Sequence, residues 1–283
     1  MQKYYKKYAA VFLLPLLICF TIAFLIPFFR GLFFSFTKYK AVNNWSWTGF
    51  ENYQKAFSTQ YGMPTFWSAL GRTTLFAMIS ILTINFNAFR LALLLTKGLK
   101  GSNTYRSIFF RPNLIGGIIL GYIWRVRLNG ILQLIDKNLN LSVNPWLSFF
   151  GLVILRNWQQ VGYRMIIYIA ALRNVPTDLN ESASIDGASK FQTTRRVTIP
   201  MVIPSFTICS FLTLSNSYKL YDQNLALSGL GEKTNLLAAD IVSTTIAKGN
   251  LGPQQAKAVV FFLIVAAISG LQVMATRRKE VEA

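Results

Sequence analysis

The sequence contains no histidine, only two cysteines and few acids, with 10 Asp and Glu against 29 Lys and Arg in 283 residues. The absence of histidine excludes a His-ligated metal site and a His general base. Cys19 and Cys209 lie in separate apolar runs, without the spacing of a metal knuckle or a redox pair. We therefore expect both to be packed hydrophobic side chains, and we expect no metal site.

Apolar residues are abundant: they make up 53% of the chain, and the mean hydropathy is +0.38. Residues 8–29 and 197–218 are each 22 residues without a charge, and about 20 suffice for a helix to cross a bilayer. The net charge of +19 comes from basic residues that punctuate the apolar runs. This pattern is typical of a protein in contact with anionic lipid, not of a nucleic-acid binder with a polar basic surface.

We predict an all-α, polytopic membrane protein with a single domain over 1–283, because backbone groups in lipid must be bonded within helices. The six predicted spans are about 8–36, 67–96, 104–124, 148–172, 201–228 and 256–276. Placing the N-terminus inside gives 13 Lys and Arg in the cytoplasmic segments and 8 in the outer loops. Both termini are therefore predicted to be cytoplasmic.

The predicted spans contain few ionisable groups that could couple transport to an ion or proton gradient. Their single acid is Asp222, three residues after Lys219, and we expect the two to form a helical ion pair. A proton-coupled secondary carrier would need more ionisable groups in the membrane. Residues 229–234 lack the Gly-Lys-Ser/Thr ending of a phosphate loop and are predicted to be a turn. Uphill transport would need a motor on another subunit.

The cytoplasmic segment 173–200 has a readable local structure. Pro176 should end the preceding span. Asp178 and Ser189 each precede a Glu or Gln by three residues, which predicts two capping boxes. Gly187 between them can adopt a positive φ and turn the chain. The segment is thus predicted to be helix–turn–helix, with small residues that let another protein approach closely.

This segment resembles the EAA loop of ABC importer membrane subunits, and we call it the coupling loop. The matching positions are Glu181-Ser182-Ala183, Asp186-Gly187-Ala188-Ser189 and Ile199-Pro200, with Ser182 in place of the usual Ala. The resemblance implies the type I importer fold and a coupling helix docked on an ATP-binding subunit. The residues that it assigns to this contact are Glu181, Ser182, Ala183, Asp186, Gly187, Ala188 and Phe191.

Further motifs resemble carbohydrate importers of the maltose type: 47–53, 109–113, and Trp158-Gln159 with Gly162-Tyr163. The resemblance implies import of a sugar or oligosaccharide by a permease of the bacterial cell membrane that is not itself an enzyme. It also implies a second homologous permease subunit, two ATP-binding subunits and an extracellular solute-binding protein. This chain would bind no cofactor, since ATP and Mg would be bound by the partner ATPase.

The resemblance implies a substrate pathway that includes Asn113, Gly117, Gln159, Tyr163, Asn216, Ser217 and Leu220, and the cost of a charge inside a span adds Arg164 to this prediction. Arg156 and Arg164 lie inside the fourth predicted span, where a charge is costly, so each should face a cavity or a partner. They could contact substrate or the second permease subunit, and Arg164 could instead pack its stem and snorkel.

Three alternatives to a sugar permease stay open from the sequence. An ABC permease for a different, possibly anionic glycan or another small polar solute would suit the two arginines. A membrane-embedded enzyme would need paired acids or nucleophiles at one boundary, and the pattern of acids offers none. A secondary carrier is disfavoured by the scarcity of acids in the spans.

Overall fold

The computed structural model describes residues 11, 13–41, 44–57, 66–229, 234–248 and 251–277. The helices in chain order are α1 (Leu13–Ser35), α2 (Glu51–Phe57), α3 (Phe66–Thr96), α4 (Ser102–Phe110), α5 (Gly117–Ile135), α6 (Pro145–Arg173), α7 (Thr177–Ile185), α8 (Lys190–Met201), α9 (Ile203–Tyr218), α10 (Asp222–Ser228), α11 (Leu237–Lys248) and α12 (Leu251–Arg277). The described strands, β1 (Thr37–Ala41) and β2 (Asn44–Trp47), form an antiparallel hairpin. The predicted helical fold is confirmed.

Among the described helices, α1, α3, α5 and α12 are long and apolar enough to cross a membrane, and a fifth span results if the bent pair α8–α9 counts as one. The fourth predicted span corresponds to α6, which has the length but is more polar in its middle. The start of the first predicted span (8–10 and 12), part of the predicted turn (230–233) and both ends of the chain lie outside the described residues.

The third and fifth predicted spans, 104–124 and 201–228, need correction. In the third, α4 ends before a 3₁₀ turn at Arg111–Leu114 and an extended residue, Ile115 (φ −80°, ψ 130°). Pro112 cannot donate a backbone hydrogen bond to a continuing helix, so the apolar helix α5 begins only after this break. In the fifth, the helix ends at Tyr218, and the chain turns before α10 begins.

Prolines shape two of the helices. In α1, the turn Thr21–Leu25 widens to a π-helix, with the N–H of Ile26 donating to Thr21 O, directly before Pro27. The same widening occurs at Thr194–Thr198 in α8, before Pro200. A proline ring clashes with the carbonyl four residues earlier, and the wider turn accommodates it without ending the helix. Between α8 and α9 the axis bends by 66°.

The chain divides into two compact units, of which the first comprises 1–62 and 241–263. Its buried polar centre is Asn52 on α2, whose Nδ2 donates to Ser35 O (3.0 Å) and Thr37 O (2.8 Å). Gly252 packs directly against this centre, since a Cβ there would lie 2.6 Å from Thr37 O. The amide thus joins the end of α1 to the start of the hairpin.

The second unit comprises 63–240 and 264–283 and is built around α6. Two hydrophobic cores lie along this helix. One includes Phe149, Leu152 and Leu155 of α6 together with Phe76, and the other includes Met165 and Tyr168 together with Ala88. The stretch of α6 between them carries Arg156, Asn157, Gln159 and Gln160. This polar middle accounts for the low hydropathy of α6, and protein surrounds much of it, because Arg156, Gln159 and Gln160 are all buried.

Candidate functional site

The polar middle of α6 opens into a cavity of about 310 Å³ within the second unit. Its lining residues come from α6, from the end of α9 and from the chain that follows: Arg156, Gln159, Gln160, Asn216, Lys219, Leu220, Tyr221, Asp222 and Gln223. Most of them carry amide, hydroxyl or charged groups, which are the donors and acceptors that a polyhydroxylated ligand requires.

Gln159 is the structural centre of this cavity. Its Oε1 accepts hydrogen bonds from Arg156 Nη1 (2.8 Å) and Gln223 Nε2 (3.2 Å), and its Nε2 donates to Ile115 O (3.3 Å). One amide therefore connects α6 to α10 and to the break between α4 and α5. It also satisfies the carbonyl of Ile115, which the end of the helix leaves without an intrahelical partner.

Glycines let α10 lie directly on α5. A Cβ at Gly117 would lie 2.8 Å from Asp222 Cβ, and a Cβ at Gly121 would lie 2.6 Å from Ala226 Cβ. This close approach positions Asp222 and Gln223 at the cavity. Gly117, predicted as a pathway residue from the sequence, thus packs behind the cavity wall.

Two of the motifs singled out in the sequence, 109–113 and 158–163, contact each other. A Cβ at Gly162 would collide with the carbonyl of Phe109 and lie 2.9 Å from Phe110 N, so only glycine fits. Beside this contact, Gln160 Nε2 donates to Asn113 Oδ1 (3.1 Å). The rings of Phe110 and Tyr163 also approach, at 6.4 Å between centroids.

Only some of the remaining predicted pathway residues line the cavity. Gln159, Asn216 and Leu220 line the cavity directly. Ser217 is buried, and its hydroxyl donates to Thr213 O of its own helix (2.7 Å). Tyr163 is 37% exposed.

The predicted ion pair between Lys219 and Asp222 is wrong: the two described side chains do not come within ion-pair distance of each other. Tyr218 ends α9 before Lys219, and α10 begins at Asp222, so the pair does not share a continuous helix. The helical spacing that motivated the pairing is therefore absent. Both side chains line the cavity instead.

The coupling loop has the predicted helix–turn–helix form. Gly187 has φ +80°. The N–H of Ala188 donates to Ala183 O (2.9 Å) and the N–H of Gly187 to Ser184 O (3.1 Å), which together make a Schellman cap of α7. The capping box of Ser189 with Gln192 at the start of α8 is confirmed.

The capping box predicted for Asp178 and Glu181 is wrong. The N-cap of α7 is Pro176, without a side-chain cap bond, and Asp178 already lies within the first turn. Its carboxylate accepts a hydrogen bond from Thr177 Oγ1 (3.3 Å). Proline fixes the chain geometry at the helix start, so α7 begins two residues earlier than an Asp178 cap would allow.

The coupling loop exposes a mixed polar and apolar face. Glu181, Ser182 and Asp186 are exposed, whereas Ala183 and Ala188 are half-buried beside the turn. Phe191 is 71% exposed and Ile185 is 86% exposed. The sequence prediction did not include Ile185. An isolated large apolar residue in a polar segment, between Glu181 and Asp186, could have indicated an exposed contact residue.

Comparisons with known proteins agree with this architecture. Residues 56–281 match the family described as "Binding-protein-dependent transport system inner membrane component". The chain is 40% identical over 280 residues, covering 96% of it and 94% of the relative, to the "Probable starch degradation products transport system permease protein AmyD" of Thermoanaerobacterium thermosulfurigenes. It is 27% identical over 286 residues, covering 98% and 97%, to the "Multiple sugar-binding transport system permease protein MsmF" of Streptococcus mutans.

Among solved structures, the fold is similar to a chain of a bacterial ABC transporter involved in the import of the acidic polysaccharide alginate. The TM-score is 0.81 with 20% sequence identity, and the match covers 98% of each chain.

Proposed function

Because the chain belongs to the family of binding-protein-dependent transport system inner membrane components, we propose that it is the permease subunit of an ABC importer for oligosaccharides and forms half of the translocation pathway. The observation that carries this proposal is the polar cavity between the two apolar cores of α6. The amide and hydroxyl groups that line this cavity suit a ligand with many hydroxyl groups.

The proposed substrate is a neutral oligosaccharide of the starch type. Support comes from the relative that is 40% identical and is named for transport of starch degradation products. In the cavity, Asn216 would bond sugar hydroxyls, and Gln159 would donate the one amide N–H that its bonds to Arg156, Gln223 and Ile115 leave unused. Leu220 would offer an apolar surface to the ring C–H groups. Of the other predicted pathway residues, Asn113, Gly117 and Ser217 would shape this wall, and Tyr163 and Arg164 would lie along the route beyond it.

The second candidate is an anionic glycan. Arg156 and Lys219 line the cavity with a single acid, Asp222, so its formal charge is positive. A uronate carboxylate could pair with either cation. We rank this candidate second because Arg156 already donates to Gln159 and because the similarity to the starch-type relative spans nearly the whole chain.

Energy would come from partner subunits. We propose that two ATP-binding subunits, which bind ATP and Mg, dock on this chain and on a second, homologous permease. On this chain the contact would be made by Glu181, Ser182, Ala183, Asp186, Gly187, Ala188 and Phe191, with Ile185 added for its exposure. The proposed orientation places both termini and the coupling loop in the cytoplasm and turns the opposite side toward the solute-binding protein of this binding-protein-dependent family.

Uptake by the reconstituted complex in proteoliposomes tests the proposal. We expect ATP-dependent import of radiolabelled maltotriose, and we expect Asn216→Ala to weaken it by about tenfold through the loss of one or two hydrogen bonds to the sugar. Asn138→Ala, on an exposed loop away from the cavity, is the matched control. Import of an oligouronate but not of maltotriose would favour the second candidate, and import driven by a proton gradient without ATP would refute the ABC assignment.

A further inference from the structure

Arg164 on α6 is the largest fully buried side chain among the described residues, and it does not line the cavity. It is 1% exposed. Its Nε donates to Thr213 Oγ1 (3.2 Å), and its guanidinium carbon lies 5.0 Å from the centroid of the Tyr163 ring. Within the described part of the chain, neither Nη has a hydrogen-bond acceptor, although both are buried.

Helical spacing places Arg164 and Thr213 directly next to the cavity. Arg164 lies one turn beyond Gln160 on α6, and Thr213 lies one turn before Asn216 on α9. Gln160 and Asn216 both line the cavity, whereas Arg164 and Thr213 do not. The contact between Arg164 and Thr213 therefore forms the next layer of the unit, which closes the cavity on one side. We call this contact the floor layer.

The floor layer is electrostatically unfavourable as it stands. The buried guanidinium has lost its hydration, and in exchange its Nε donates one hydrogen bond to the neutral hydroxyl of Thr213 and the group contacts the Tyr163 ring, while both Nη groups lack an acceptor. Any rearrangement that brings oxygen acceptors to the two Nη groups would recover that cost. Separation of α6 from α9 at this level would do so, since it would open the layer to the contents of the cavity.

We propose that Arg164 is a substrate-binding residue that donates to sugar hydroxyl oxygens when the floor layer separates, and that it is shielded from the substrate in the conformation described above. This inference rests on the proposed function for its ligand. A purely structural role for Arg164 makes a different prediction: an arginine that only fills space could be replaced by an apolar side chain of similar length without a loss of stability or of import.

The first test compares Arg164→Met, Arg164→Lys and the control Arg90→Met in the reconstituted complex. Arg90 is an exposed residue of α3 whose guanidinium lies over the ring of Phe86. We expect Arg164→Met to melt at the wild-type temperature or about 2 °C above it and to import maltotriose at a maximal rate lowered by about tenfold or more. Arg164→Lys should recover part of the rate, and Arg90→Met should behave as wild type. Wild-type import by Arg164→Met would overturn the proposal.

The second test does not depend on the folding of an Arg164 variant. Thr213→Cys is placed in a background with Cys19→Ala and Cys209→Ala and is treated with a small charged methanethiosulfonate reagent, with and without ATP and vanadate. We expect the thiol to react about tenfold faster in one of the two nucleotide states. Equal, slow reaction in both states would overturn the proposal.

The two proposals fail separately. A thiol that switches its reactivity in a complex unable to import any oligosaccharide would refute the proposed substrate. Import of maltotriose with an unreactive thiol would refute the role of Arg164 and leave the proposed function intact.

Discussion

Replacement of Gly162 by alanine should push α6 away from the end of α4, and contact between these two helices holds part of the cavity wall in place. The added Cβ would collide with the carbonyl of Phe109 and lie 2.9 Å from Phe110 N. All of these neighbours are backbone atoms, so no rotamer change can relieve the collision. Non-bonded carbon and oxygen atoms approach no closer than about 3.3 Å, so the two segments must move apart by about 1 Å or more.

The magnitude follows from what that displacement breaks. The hydrogen bonds from Gln160 to Asn113 (3.1 Å) and from Gln159 to Ile115 O (3.3 Å) span the same gap and would exceed bonding distance. Overpacking and the loss of two hydrogen bonds together cost about 3–4 kcal/mol. For a unit of this size we expect the melting temperature to fall by about 6–16 °C.

The assay is thermal unfolding of the assembled complex in detergent, followed by size-exclusion chromatography, with uptake measured in parallel. Gly130→Ala is the matched control: Gly130 is inside α5, and a Cβ there would meet nothing within 4 Å. Alanine at this position should be neutral or stabilise the helix by up to about 1 kcal/mol. If Gly162→Ala melts with the wild type and retains uptake, the reasoning from the close backbone contact is wrong.

The remaining predictions concern the coupling loop and the first unit. Gly187→Pro should abolish ATP-linked uptake while membrane insertion persists, because proline cannot adopt φ +80° and removes the N–H that caps Ser184 O; normal uptake would contradict the role of the turn. Glu181→Lys should likewise abolish uptake with unchanged insertion, since it reverses an exposed charge at the proposed ATPase contact; co-purification of the ATPase at wild-type yield together with normal uptake would count against it. Gly252→Ala should destabilise the first unit by about 2 kcal/mol, because its Cβ would lie 2.6 Å from Thr37 O; limited proteolysis of the hairpin, with Gly270→Ala as the open-space control, measures this, and equal cleavage rates would refute it.

Local chemistry made much of the fold and of the coupling loop predictable. The uncharged runs marked most of the apolar helices, Gly187 marked the turn, and Ser189 with Gln192 marked the start of α8. Each of these depends on residues within one or two turns of each other. The wrong predictions concern residues that are close in sequence but do not share one helix. Lys219 and Asp222 lie outside α9, which ends at Tyr218, and the third predicted span crossed the break at Ile115.

The sequence by itself determined that this protein is a helical membrane permease with a loop suited to a separate motor, because hydropathy, charge placement and a contiguous motif are one-dimensional properties. Only the tertiary structure decided which polar residues meet. Gln159 accepts from Gln223, 64 residues away, and Arg164 donates to Thr213, 49 residues away. Helix packing brings such pairs together, and no periodicity in the chain encodes their distance.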